Sequence, residues 1–299
     1  MCITFLYTNP SDKSYRYKLV LINNRDEFYA RITLKAELKE SSKNLKTIHG
    51  TDIEAIEHGT WLGLSQKNDT IRIGNLLNVA GETKKHNVKG RGGLVIEYIN
   101  NTNSTIEEYN EKLLNNHLEY NGFNFLSIEI KRKEMKIFNL CNVDQSFQKI
   151  PFGYFGISNS PINQPYQKAT IGTQKFKELL QSHENSEKSI FIDSLLNFLK
   201  CEEKHLPCQE LARRRPDDAH IFSSIHVKHT FAQYGTRNRS IVLVDHHHNV
   251  DFIEERMVNE NPENPIWDRQ VFKIAGRNPK VLEYLISKAR ILNILKAML

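Results

Sequence analysis

Short stretches at 3–7, 17–22, 60–64, 71–76, 123–130, 135–141, 154–157, 220–227, 240–244 and 250–255 alternate apolar with polar residues or run as β-branched blocks. Period-two alternation with Val, Ile, Phe and Tyr enrichment predicts strands there. Helical spacing is confined to fewer places. Leu94, Tyr98 and Ile99 open one such segment, and Ile106, Tyr109, Leu113 and Leu114 form the next. Phe176, Leu179 and Leu180 mark a third, and Ile190, Leu195, Leu196 and Leu199 a fourth. Strands therefore come in blocks, with helices between blocks rather than after every strand. That order predicts an α+β architecture of antiparallel sheets and argues against a doubly wound parallel sheet.

No internal repeat or Pro/Gly/Ser-rich linker divides the chain, so 1–275 reads as a single domain. The segment 276–299 is different. Pro279 stands at a helix start, and Val281, Leu282, Leu285, Ile286, Ala289, Leu292 and Leu295 recur at helical spacing. An amphipathic helix is predicted, packed on the domain or, through Lys280, Lys288, Arg290 and Lys296, in peripheral contact with a membrane or partner.

Composition narrows the function classes. The 299 residues carry 41 Lys and Arg against 35 Asp and Glu, a net charge of +6 that is dispersed along the chain. No basic face with interleaved aromatics emerges, so nucleic acid is not an expected partner. Apolar runs recur too often for a disordered chain and are too short for a spanning helix. The first residues lack a charged leader, so a non-secreted protein is expected. Four cysteines without a CxxC pair predict reduced thiols rather than a disulfide framework. Cys201, His205 and Cys208 lie close in sequence but fall short of a zinc ligand set. Neither a metal nor a nucleotide cofactor is predicted.

Two places could carry chemistry. Cys2 is small enough for the initiator Met to be trimmed, which would make it the first residue. Its thiol and α-amine would then form a nucleophile with its own general base, the amine having a reference pKa of about 8. The plain alternative is a small buried residue in a strand. The second place is Asn23-Asn24-Arg25-Asp26-Glu27, where a strand ends in successive hydrogen-bonding residues. Asp26 is suited to hold an α-ammonium or orient a thiol, and Arg25 to pair with a carboxylate. An exposed strand end with a salt bridge is the other reading, and both stay open at this point.

Met1-Cys2-Ile3 followed by Asn24-Arg25-Asp26-Glu27 resembles the NRDE family, also called the transport and Golgi organisation protein 2 family. The resemblance continues in order through Gly59-Thr60-Trp61-Leu62-Gly63-Leu64-Ser65, Gly90-Arg91-Gly92-Gly93-Leu94 and Tyr120-Asn121-Gly122-Phe123-Asn124. Gly156-Ile157-Ser158-Asn159 and Tyr234-Gly235-Thr236-Arg237 complete it, so that it covers about 1–275. It implies a fold similar to the N-terminal nucleophile hydrolases, a four-layer α-β-β-α sandwich of two antiparallel sheets.

Comparison with the choloylglycine hydrolase and penicillin V acylase branch implies further roles. Cys2 matches the nucleophile, and Asp26 the acid that contacts it. Asn75 and Asn159 match oxyanion or substrate-polarising residues, and Arg237 an active-site Arg that orients Asp26 or a substrate carboxylate. Asn23 stands where that branch has an Arg, and Gly74-Asn75 where Thr-Asn is usual.

The resemblance implies three expectations for function. The first is haem trafficking, with haem or another amphipathic small molecule as cargo and haemoproteins as acceptors. The second is an N-terminal cysteine amidohydrolase or thioesterase. The third is an interaction protein in Golgi or membrane organisation. The expected location is the cytoplasm, in association with mitochondria or Golgi membranes. No haem ligand is named: His226 and His229 flank a strand end and could face a cleft but read rather as a surface pair, and His246-His247-His248 reads as an exposed hairpin tip.

Overall fold

The computed structural model describes residues 1–41 and 44–276. The predicted helix at 276–299 therefore falls, apart from Gly276, outside the described residues.

The chain begins with the antiparallel strands β1 (Ile3–Thr8) and β2 (Tyr17–Phe28). β3 (Thr33–Glu40), β4 (Leu45–Asp52), β5 (Leu62–Lys67) and β6 (Thr70–Asn78) follow. Two helices, α1 (Gly93–Asn100) and α2 (Ile106–Asn115), precede β7 (Phe123–Ile130), β8 (Met135–Cys141) and β9 (Ser146–Lys149). After β10 (Gly153–Ile157) come α3 (Gln167–Ser182), α4 (Lys188–Leu199), α5 (Gln209–Arg214) and α6 (Ala219–Phe222). The strands β11 (Lys228–His229), β12 (Tyr234–Asp245), β13 (Val250–Met257) and β14 (Trp267–Ile274) close the described fold.

All strand pairings are antiparallel and make two sheets. One runs β10-β1-β2-β12-β13-β14 with β11 beside β12, and the other runs β3 to β9 in chain order. Alternation along each strand divides its side chains between two faces. From β1 and β2, Leu6, Leu19 and Leu21 enter the core between the sheets, where they join Leu64, Ile73 and Ile128. Phe5, Val20 and Ile22 point the other way and meet Phe176, Leu180, Phe191 and Leu195 of α3 and α4. On the far side Leu94, Tyr98, Tyr109 and Leu113 of α1 and α2 cover Phe123, Phe125 and Leu140. The layers are thus α-β-β-α, as expected.

Local sequence accounts for the framework. Thr105 and Glu108 form a reciprocal capping box that starts α2, each side chain bonding the other's backbone N–H at 3.1 and 2.8 Å. Central strands such as β7 are buried along their whole length, which is why their apolar runs were legible. The segment 220–227 corrects the strand expectation. Its apolar residues belong to the short helix α6 and the following turn, where Ser223 and Ser224 bond local carbonyls instead of a ladder.

Candidate active site

Strand parity places the first residues. Cys2 shares the parity of Thr4 and Leu6 and faces the space between the sheets, whereas Met1 falls on the helix side with Ile3. In β2 Asn24 and Asp26 face the helices, and Arg25 and Glu27 face the other sheet. Each residue of the Asn-Arg-Asp-Glu run then has a separate task. Asn24 donates to the carbonyls of Leu199 and Ile225 at 2.8 and 3.0 Å, fixing β2 to the helix layer. Arg25 crosses to the second sheet, pairs with Asp52 at 3.0 Å and stacks on Trp61. Glu27 stands near Arg25 and Arg31, at 3.9 and 3.8 Å.

Asp26 is the centre of the site. Its Oδ2 lies 3.1 Å from the α-ammonium of Met1, and its Oδ1 accepts from Thr236 at 2.7 Å. The Tyr234 hydroxyl accepts from the same ammonium at 2.6 Å and donates to the Asp26 carbonyl at 2.9 Å. The Asp26 backbone N–H donates to Cys2 Sγ at 3.4 Å. Ser158 Oγ donates to the Cys2 carbonyl at 2.7 Å. Thiol, amine and carboxylate are therefore held together by three elements, β1, β2 and β12.

A buried lysine completes the group. Lys168 stands in the first turn of α3, where a cation opposes the helix dipole. Its ammonium donates to the carbonyls of Met1 and Ser224 at 3.2 and 3.1 Å. Burial pulls Lys168 down to about 8, while the carboxylate of Asp26 opposes the shift. Burial also lowers the Met1 amine and raises the Cys2 thiol, the latter against the neighbouring ammonium.

Cys2 opens into a cleft with two lobes, of about 690 and 310 Å³. Cys2, Asp26, Glu27, Arg31, Asn78 and Arg91 line both. The larger lobe adds Phe28, Phe222, Tyr234, His229, Arg215 and Asn159, and the smaller adds Trp61, Leu76 and Val88. Its walls are mixed, with guanidinium groups and carboxylates set among aromatic and aliphatic side chains.

The other sequence-predicted residues are placed differently. Asn159 lines the larger lobe, but its amide donates to the Asn78 carbonyl at 2.6 Å. Asn75 is turned to the sheet interface, accepting from Thr4 at 2.6 Å and donating to the Trp61 carbonyl at 3.0 Å. It ties the sheets together and does not line the cleft; Asn78, at the end of the same strand, does. Arg237 makes no contact with Asp26. It lies in the bulge between Thr236 and Asn238, which turns its side chain towards the carbonyls of Phe28, Arg31 and Met257. Asn23 bonds the Ile3 carbonyl and Thr4 hydroxyl at 3.1 and 2.9 Å and so secures the start of β1. Of the histidines, His229 reaches the cleft. His248, expected at an exposed tip, is buried, whereas His247 is exposed.

The family model for Transport and Golgi organisation 2 matches residues 1–259. The chain belongs to this family. Transport and Golgi organization protein 2 of Drosophila melanogaster is 33% identical over 268 residues, covering 88% of this chain and 94% of the fly protein. The homolog of Mus musculus is 28% identical, covering 91% and 98%. Among solved structures, Anbu (ancestral beta-subunit) from Yersinia bercovieri aligns with a TM-score of 0.38 at 9% identity, covering 100% of this chain and 97% of that one. Within the family's motifs Tyr234-Gly235-Thr236-Arg237 was visible in the sequence, but the roles fall to Tyr234 and Thr236. Ser158 stood in the Gly156-Ile157-Ser158-Asn159 motif without a role of its own, and Lys168 carried no signal, because nothing near it in sequence marks what it touches.

Proposed function

We propose that the protein is an N-terminal cysteine hydrolase of amides or thioesters, formed when Met1 is removed and Cys2 becomes the first residue. One observation carries this reading: Asp26 and Tyr234 bind an α-ammonium beside the Cys2 thiol at the floor of an open cleft. In the trimmed chain the amine belongs to Cys2 itself and serves as the base for its thiol. The Sγ–carbon bond forms as the substrate C–N or C–S bond breaks, and the thiol proton passes through the amine to the leaving group. Water then cleaves the acyl-cysteine, releasing the acid and restoring the thiol. Asn159, which lines the larger lobe and has one amide N–H left beyond its bond to the Asn78 carbonyl, is the side chain we propose to stabilise the oxyanion. The relatives' names speak of transport and Golgi organisation, and that process is the cellular setting we propose for the reaction.

The test compares turnover of amide and thioester substrates in two variants. Cys2→Ala abolishes it and Cys141→Ala, whose thiol is buried in β8, leaves it unchanged. Equal turnover in wild type and Cys2→Ala contradicts the reading.

A second reading, haem carriage, is favoured by the larger lobe. Cys2 and His229 offer thiolate and imidazole ligands there, Phe28, Phe222 and Tyr234 offer aromatic faces, and Arg31, Arg91 and Arg215 suit propionates. Haem titration is then expected to give a Soret band that disappears as haem passes to an apo-haemoprotein. Partition no better than onto a control protein of equal charge contradicts it.

A further inference from the structure

Met1 is held by all three of its parts. Its amine is bound by Asp26 and Tyr234, its carbonyl by Lys168, and its side chain belongs to one buried apolar cluster with Tyr166, Cys208, Leu211, Phe222 and Val227. Only 4% of the residue is exposed, although it lies at the wall of an open cleft. In chemical terms Met1 is an acyl group on the Cys2 nitrogen. Its carbonyl has a cationic donor, and its unbranched tail lies in an apolar pocket.

Removing Met1 would do two things at once. It frees the amine of Cys2, and it empties a pocket already shaped for an unbranched apolar chain beside that thiol. Surfaces that lose such a tail leave a void lined by apolar atoms, which favours refilling by a group of like shape. Lys168 simultaneously loses one of its two carbonyl acceptors, leaving a buried donor turned towards the same space.

We propose that the pocket filled by the Met1 side chain is the acyl-binding subsite, selecting straight-chain acyl groups of about methionine's length, with Lys168 bonding the acyl carbonyl. This rests on the hydrolase reading and deepens it by naming the substrate class. Until it is trimmed, Met1 is a plug that occupies the subsite in the substrate's place.

The experiment uses the Cys2→Ser protein, so that binding is read apart from turnover. One form begins at position 2 after cleavage of an N-terminal fusion, and the other keeps Met1. Hexanamide is titrated into each by calorimetry, after thermal melts have shown that both are folded. Saturable one-site binding is expected for the form beginning at position 2, with affinity roughly tenfold or more weaker when Met1 is present. In the trimmed form Leu211→Trp, which fills the pocket, brings binding down to the level of the Met1-bearing form. Should that variant not fold, Leu211→Ala gives the same information by shifting preference from hexanamide to octanamide. Equal affinity in the two forms, no binding in either, or an unchanged chain-length preference in Leu211→Ala overturns the proposal. Loss of the hydrolase reading has its own signature, selective binding by the trimmed form without turnover by the trimmed wild-type chain.

Discussion

Glu254 stands between the two sheets, where its Oε1 accepts the Ala36 N–H at 2.9 Å. Burial raises its carboxyl from the usual 4.5 to about 7, against that bond and the charge of Arg256. The unfolded chain binds this proton only below about 4.5, whereas the folded chain keeps it to about 7. The folded state is therefore favoured by the difference at low pH, and the advantage is lost as pH rises through 7. Glu254→Gln keeps the acceptor without the charge. At about 1.4 kcal/mol per pKa unit, it is expected to stabilise by up to ~3 kcal/mol at pH 8 and to have little effect at pH 5, read by urea denaturation. An equal effect at both pH values contradicts the assignment. At this scale the sequence gives identities but not surroundings. The Asn-Arg-Asp-Glu run was legible as polar residues closing a strand, yet its division of labour follows from alternate faces of β2. The family comparison implied that Arg237 orients Asp26 or a substrate carboxylate, and the bulge between Thr236 and Asn238 turns it away from Asp26 towards the carbonyls of Phe28, Arg31 and Met257.

Two family motifs meet where β5 begins. Gly59, before β5, lies against the backbone of Gly92, just before α1, and the Thr60 N–H donates to the Gly92 carbonyl at 3.1 Å. A Cβ on Gly59 would collide with the carbonyl carbon, Cα and oxygen of Gly92, none of which can move without shifting α1. Gly59→Ala is expected to cost about 1–3 kcal/mol and to lower Tm by several degrees. Gly93→Ala meets only the Glu57 Cβ at 3.9 Å and is expected to leave Tm near wild type. A reversed order in thermal melts contradicts this packing. Legibility of elements followed burial. β2 and β12, covered on both faces, announced themselves, although both run further into polar sequence than apolar content suggested. β3 was not read as a strand, because only Thr33 and Ala36 are buried among Lys and Glu at the edge of its sheet. β14 and β9 are edge strands with the same fault. Edge strands carry charge to discourage further pairing, and that charge hides their period.

Across the molecule the sandwich brings residues from the start of β1, the end of β2, the start of β12 and the first turn of α3 to one end of the paired sheets. The two layers are latched near that end by Arg25 with Asp52 and by Thr4 with Asn75. Layer order was legible from the blocks of strands and helices, because it depends on pattern. The site's composition was legible only in part. Cys2 and Asp26 announce themselves by chemistry, but Lys168 comes from a helix 166 positions beyond Cys2 in sequence and is identified only by what it touches. Among the described residues no helix is long and apolar enough to cross a membrane.

The central claim, a nucleophilic Cys2 poised by Asp26, is tested most directly by the intact mass of protein from its native cell after brief exposure to excess hexanoyl thioester. The expected spectrum shows a chain beginning at Cys2 with a single hexanoyl adduct that maps to that residue and is lost in Asp26→Asn. A chain that keeps Met1 and takes no adduct, or one that is acylated at another residue, contradicts it.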